Sequence, residues 1–101
     1  MIVTLCGSTR FGFAFQAAML DETLKGNIVL TIGCITHSDE ELGDVITPAM
    51  KRMLNDLHKK KIAMSDEIFI LNVGGYIGET TQDELVYARS LDKKIRFLEN
   101  E

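Results

Sequence analysis

Apolar positions along this chain switch between two periods. Ile2-Val3-Thr4-Leu5-Cys6 is a short, mostly β-branched run that reads as a buried strand. Phe11, Ala14, Phe15, Ala18 and Met19 then recur at three- and four-residue spacing, which predicts a helix to about Leu24, stopped by Gly26-Asn27. Ile28–Ile32 predicts a second buried strand. Residues 33–46 are irregular, acidic and long for an α/β connection, a candidate lid or binding loop. Thr47 as N-cap and Pro48 in the first turn open a second helix, with Met50, Met53, Leu54, Leu57 and Ile62 on its apolar face. Glu67–Val73 predicts the third strand, and Gly74–Glu79 a glycine-rich loop. A third helix follows from about Thr81 to Leu91, with Leu85, Ala88 and Leu91 inward, and Ile95–Leu98 is the last strand.

The order βαβαβαβ, with strands apolar on both faces, implies an α/β domain spanning residues 1–101. Its parallel sheet is covered on both sides, in three layers. Right-handed crossovers leave few arrangements, and a flavodoxin-like, Rossmann-like strand order 2-1-3-4 is favoured. Ligands in such sheets bind beyond the carboxyl ends of the strands, at the switch point between strands 1 and 3. Gly7–Arg10 and Gly74–Glu79 both fall there.

Composition narrows the picture. The net charge of −4 argues against duplex nucleic acid as the main partner, since such binders carry a basic surface. Small anions held by local donors stay compatible with it. No stretch is long and apolar enough to span a membrane, and Met1 leads into a strand rather than a signal peptide, so a cytoplasmic protein is expected. Cys6 and Cys34 form no disulfide framework and read first as small buried hydrophobes, with a catalytic thiol at Cys6 as the alternative. His37 and His58 stand in no metal-ligand spacing, so no metal and no cofactor is expected.

The candidate chemistry gathers at the two loops. After strand 1, Gly7 lets a ligand approach the backbone, Ser8 and Thr9 offer hydroxyls, and Arg10 offers a forked cation at a helix start. The same residues also suit an ordinary capped corner. Asn72 can bind a polar ligand or tie down the next loop. Gly75 and Gly78 supply backbone, and Tyr76 can stack on a base or cover the core. Glu79 and Asp83 lie near the mouth, and Glu79 complements the helix dipole. Glu84 follows the glycine loop, where Thr81-Gln82-Asp83-Glu84 also fits a capping box. His58, near the apolar face of helix 2, is a packing residue or a proton donor near neutral pH. The methionines of helix 2 are core filler, and Lys59-Lys60-Lys61 reads as a solvated helix end.

Gly7-Ser8-Thr9-Arg10 after strand 1, with Glu84-Leu85 and Ala88 in helix 3, resembles the nucleoside 2-deoxyribosyltransferase superfamily, including the 2′-deoxynucleoside 5′-monophosphate N-glycosidases. The loop Gly74–Glu79 looks most like its small members. The resemblance spans essentially the whole chain in element order. It implies that Glu84 is a nucleophile that attacks the anomeric carbon of deoxyribose as the base leaves. The glycosyl group then passes to water or to another base. It implies too that Gly7–Arg10 binds the sugar or its 5′-phosphate, and that a neighbouring subunit helps complete the pocket, so at least a homodimer is expected.

Two departures bear on that expectation. The family's aspartate, eight residues ahead of the position of Asp66, is replaced by His58, and Asp56 is out of register. Either His58 takes over proton transfer to the base or the role is absent. Gly78 stands where a phosphate-binding hydroxyl would fall, and Glu79 beside it repels phosphate, which weights a nucleoside over a nucleotide. The alternatives are a nucleotide-binding protein that uses the same crevice without turnover, and an interaction scaffold that uses residues 33–46 as its contact surface.

Overall fold

The computed structural model describes residues 1–32 and 47–99. The proposed lid at 33–46, with Cys34 and His37, lies outside them. Four parallel strands form one sheet: β1 (Ile2–Cys6), β2 (Ile28–Leu30), β3 (Glu67–Ile70) and β4 (Lys94–Phe97), in spatial order β2-β1-β3-β4. Among the described residues three helices connect them: α1 (Gly12–Leu24), α2 (Pro48–Met64) and α3 (Glu79–Ser90). This is the Rossmann-like α/β architecture and strand order that the apolar pattern predicts. Among the described residues no helix is long and apolar enough to cross a membrane.

The two central strands, β1 and β3, feed two cores because successive side chains point to opposite faces. Val3 and Leu5 of β1, with Phe69 and Leu71, pack under Ala14, Phe15 and Ala18 of α1. Cys6, Ile68 and Ile70 point the other way, toward Ile62 of α2 and Leu85 and Ala88 of α3. Thr4 shares that second face, and its hydroxyl donates to the Lys61 carbonyl at 3.1 Å. Register sets the alignment: Cys6 stands opposite Ile70, at the carboxyl end of the central pair.

Several boundaries differ from the pattern. β3 keeps its ladder through Ile70, after which Asn72 bends the backbone into a 3-10 turn at Val73–Gly75. Gly74 and Gly75 supply the positive φ of that turn, +64° and +82°. β2 pairs only over Ile28–Leu30, short of the expected Ile32. α3 starts at Glu79, because Gly78 is extended and its carbonyl accepts from Gln82 N–H. Thr81 is therefore inside the first turn and caps nothing, so no capping box forms. Leu91, Met50, Met53 and Leu57 are exposed rather than inward, and α2 buries only His58 and Ile62. Thr47 does cap α2, accepting from Met50 N–H at 3.1 Å.

On the α1 side of the sheet the buried Glu22 is tied across three elements. Arg96 of β4 donates to Glu22 and, at 2.9 Å, to Glu67 of β3, while its guanidinium lies 4.0 Å from the Phe69 ring centroid. Lys25 adds a 2.9 Å bond to Glu22. Burial alone would raise the Glu22 carboxyl, but the bonds from Arg96 and Lys25 outweigh it and hold the carboxyl below its ordinary value. That stability is present above the unfolded carboxyl value and is lost as pH falls through the folded one. Arg96→Met should cost about 2–3 kcal/mol at neutral pH, less than the ~3–5 kcal/mol of breaking a fully buried pair because the arginine is partly exposed. Urea unfolding at pH 7 and pH 3 checks this: the deficit should shrink in acid, and equal deficits at both pH values contradict the assignment.

Candidate functional site

Three polar side chains meet at the carboxyl end of β1. Cys6 is the strand's last residue, on the face that looks toward α2 and α3. His58 and Ile62 form the buried stripe of α2, four residues apart. Thr81, Glu84, Leu85 and Ala88 form the buried stripe of α3, at three- and four-residue spacing. His58 and Glu84 thus occupy positions where each helix would ordinarily bury an apolar side chain. The Cys6 Sγ lies 3.4 Å from His58 Nε2, and Glu84 Oε1 lies 3.8 Å from the same nitrogen. One ligating atom from each of the three falls within 4.8 Å of the others.

Burial sets the protonation of the trio. Desolvation raises the Glu84 carboxyl to about 7, against a smaller downward pull from Lys59 and from the Cys6 thiol. It lowers His58 to about 4, with Lys61 adding to the effect, so the imidazole is neutral at pH 7. It also pushes the Cys6 thiol up, as does the neighbouring Glu84. Among the described residues, buried His58 Nδ1 has no hydrogen-bond partner. The arrangement is therefore a carboxyl that titrates near neutrality beside an imidazole that stays neutral and is the weaker base of the two. A neutral His58 is a poor donor to a departing base, and Glu84 is the group whose proton moves in the physiological range.

The first turn has a different structure from the anticipated helix start. Thr9–Phe11 form a 3-10 turn and α1 begins only at Gly12. Ser8 caps this turn itself: its side chain accepts from Arg10 N–H and its carbonyl accepts from Phe11 N–H. Those two amides are spent inside the loop. Packing around Gly7 is tight, since a Cβ there would sit 3.2 Å from the Leu71 carbonyl oxygen and 3.4 Å from the Phe15 ring. Thr9 is half-buried and Arg10 is exposed.

The two loops nevertheless meet. The Arg10 guanidinium lies 4.7 Å from the Tyr76 ring centroid, and Phe11 packs edge-on against the same ring at 6.0 Å. Gly78 makes room for that ring: a Cβ would stand 3.2 Å from the Tyr76 hydroxyl. Glu79 is exposed in the first turn of α3, where it complements the dipole. Gly75 shapes the turn, and Asn72 has both ends of its amide engaged by the Glu99 backbone, at 2.9 Å each. Asn72 takes the tie-down role.

The sequence singles out His58 and Glu84, and for Cys6 it favours packing over a catalytic thiol. The signal for Cys6 was its parity in β1, which puts it on the same face as Thr4, toward α2 and α3. Comparison of the chain with family models, curated proteins and solved structures gives no match.

A raised carboxyl destabilises the fold as pH rises. Its contribution is intact below the unfolded value of 4.5 and is lost through the folded value of about 7, a difference worth about 3 kcal/mol at most. Glu84→Gln should therefore raise the urea midpoint at pH 8 and change it less at pH 5. Parallel pH profiles for the two proteins would contradict a desolvated Glu84.

Proposed function

We propose that this chain cleaves the N-glycosidic bond of a 2′-deoxynucleoside or its 5′-monophosphate, or transfers the deoxyribosyl group, with Glu84 as nucleophile. The observation that carries the reading is Glu84 itself, a carboxyl titrating at about 7 beside a neutral imidazole near the β1/β3 switch point. In the reaction an oxygen of ionised Glu84 forms a bond to the anomeric carbon as the bond to the base breaks, and the base leaves with the electron pair and takes up a proton from solvent. Water or an acceptor base then displaces Glu84 and restores the carboxylate. The attacking water gives its proton to solvent, and His58 stands as a neutral neighbour 3.8 Å from the Glu84 carboxylate.

The rim supports a nucleoside more than a nucleotide. Tyr76 is 43% exposed and offers a face for a base, with Arg10 stacked on it. Gly78 brings no hydroxyl for a phosphate, and Glu79 next to it is a like charge. The resemblance also motivates a homo-oligomer, and Phe13, Leu20 and Leu24, all more than 60% exposed on α1, are compatible with a covered face. A second reading, nucleotide binding without turnover, is favoured by the burial of the Glu84 side chain, which is only 8% exposed.

Chromatography of the common deoxynucleosides and their monophosphates after incubation with the protein tests the first reading. Released base is expected, preferentially from nucleosides. Glu84→Gln should lower the rate by about a thousandfold or more while the fold persists. Ligand-dependent melting shifts without any released base would leave the binding reading standing in place of the enzymatic one. Neither shift nor base would remove both.

A further inference from the structure

We propose that Cys6, His58 and Glu84 form a binding site for a divalent transition-metal ion of the zinc class. The inference goes beyond glycosyl transfer, although it shares two residues with it. Among the described residues this is the single group of three such side chains whose ligating atoms come together. The donor set of one thiolate, one imidazole and one carboxylate suits a borderline-soft cation.

The spacing fits as well. Ligands bound at zinc distances stand about 3.3–3.6 Å apart at tetrahedral angles. The structure has 3.4 Å from Cys6 Sγ to His58 Nε2 and 3.8 Å from that nitrogen to Glu84 Oε1. All three residues are at least 94% buried, and they come from three different elements, so the sheet and two helices hold them together. The cluster brings three ionisable side chains together in the buried layer between β1, α2 and α3. A bound ion turns the same arrangement into a compensated one. Binding exchanges the thiol proton, which leaves to solvent, for a sulfur–metal bond. Three protein ligands leave a fourth position for water or another small ligand.

Titration of the purified full chain with Co(II), followed by absorption, tests the site. The expected result is one equivalent bound, with a sulfur-to-cobalt charge-transfer band and the intense visible bands of a tetrahedral centre, all displaced by Zn(II). Cys6→Ser should abolish the charge-transfer band, and Cys34→Ser should keep it. Glu84→Gln should keep the band but weaken binding by about tenfold or more. Circular dichroism of each variant checks folding, and if Cys6→Ser does not fold, His58→Ala with at least tenfold weaker binding replaces it. No charge-transfer band at millimolar Co(II), a band that survives in folded Cys6→Ser, or affinity unchanged in both Glu84→Gln and His58→Ala overturns the proposal. The readout is spectral, so its failure leaves the base-release assay untouched. A chain that releases base but binds no cobalt loses this proposal alone.

Discussion

Two-sided burial of β1 is the constraint on which the rest of this structure depends. A five-residue strand at the centre of a parallel sheet has no solvent-facing side, so every side chain must find a place in one of two helical layers. Odd positions Val3 and Leu5 go to α1, and even positions Thr4 and Cys6 go to α2 and α3. That parity puts a thiol and a hydroxyl in the layer that also receives His58 and Glu84. Near the carboxyl end of the strand, that layer is thus polar where the α1 layer is apolar. The candidate site is a local replacement of core by ionisable groups, and it is positioned by the same ladder that positions the core.

Much of the fold was legible because its signals are local. Strand runs that are apolar on both faces, separated by helical spacing, sufficed for a parallel sheet in the order 2-1-3-4. Boundaries were less legible where tertiary contacts decide them. The start of α3 depends on Tyr76 lying across Gly78 and on the extended backbone there, neither of which appears in the pattern Thr81-Gln82-Asp83-Glu84. The inward face of α2 was overread, because helical spacing of Met50, Met53 and Leu57 does not say whether anything stands opposite them. Gly7-Ser8-Thr9-Arg10 was legible as a corner but not as to its use. Gly7 makes room for Leu71 and Phe15, distant in sequence, and Ser8 spends its oxygens on its own turn. The meeting of Cys6 with His58 and Glu84 was the least legible, since metal-ligand and catalytic spacings along a chain describe neighbours on one element, and these three come from three.

The protein handles buried carboxyls in two opposite ways. Glu22 is almost completely buried but is met by Arg96 and Lys25, so its charge is favoured. Glu84 is similarly buried and, among the described residues, has no ion-pair partner beyond a neutral histidine and a thiol, so its charge is penalised. Stability alone favours the first solution. An apolar residue at position 84 would extend the Leu85–Ala88 stripe and remove the penalty altogether. A domain of this size has only about 5–15 kcal/mol of net stability, so a desolvated carboxyl is a substantial fraction of it. Strain of that kind concentrates where chemistry or ligand binding makes use of it.

The two proposed uses place incompatible demands on the same oxygen atoms. Nucleophilic attack needs the Glu84 carboxylate free, with its lone pair aimed at carbon. Metal ligation ties that lone pair to a cation and lowers its nucleophilicity. A neutral imidazole serves both, as an acceptor beside the nucleophile or as a ligand nitrogen. Cys6 separates them, because glycosyl transfer through Glu84 has no step for a thiol, whereas a soft-ligand site is built around one. The residue that composition and spacing treated as filler is therefore the one whose chemistry distinguishes what this cluster is for.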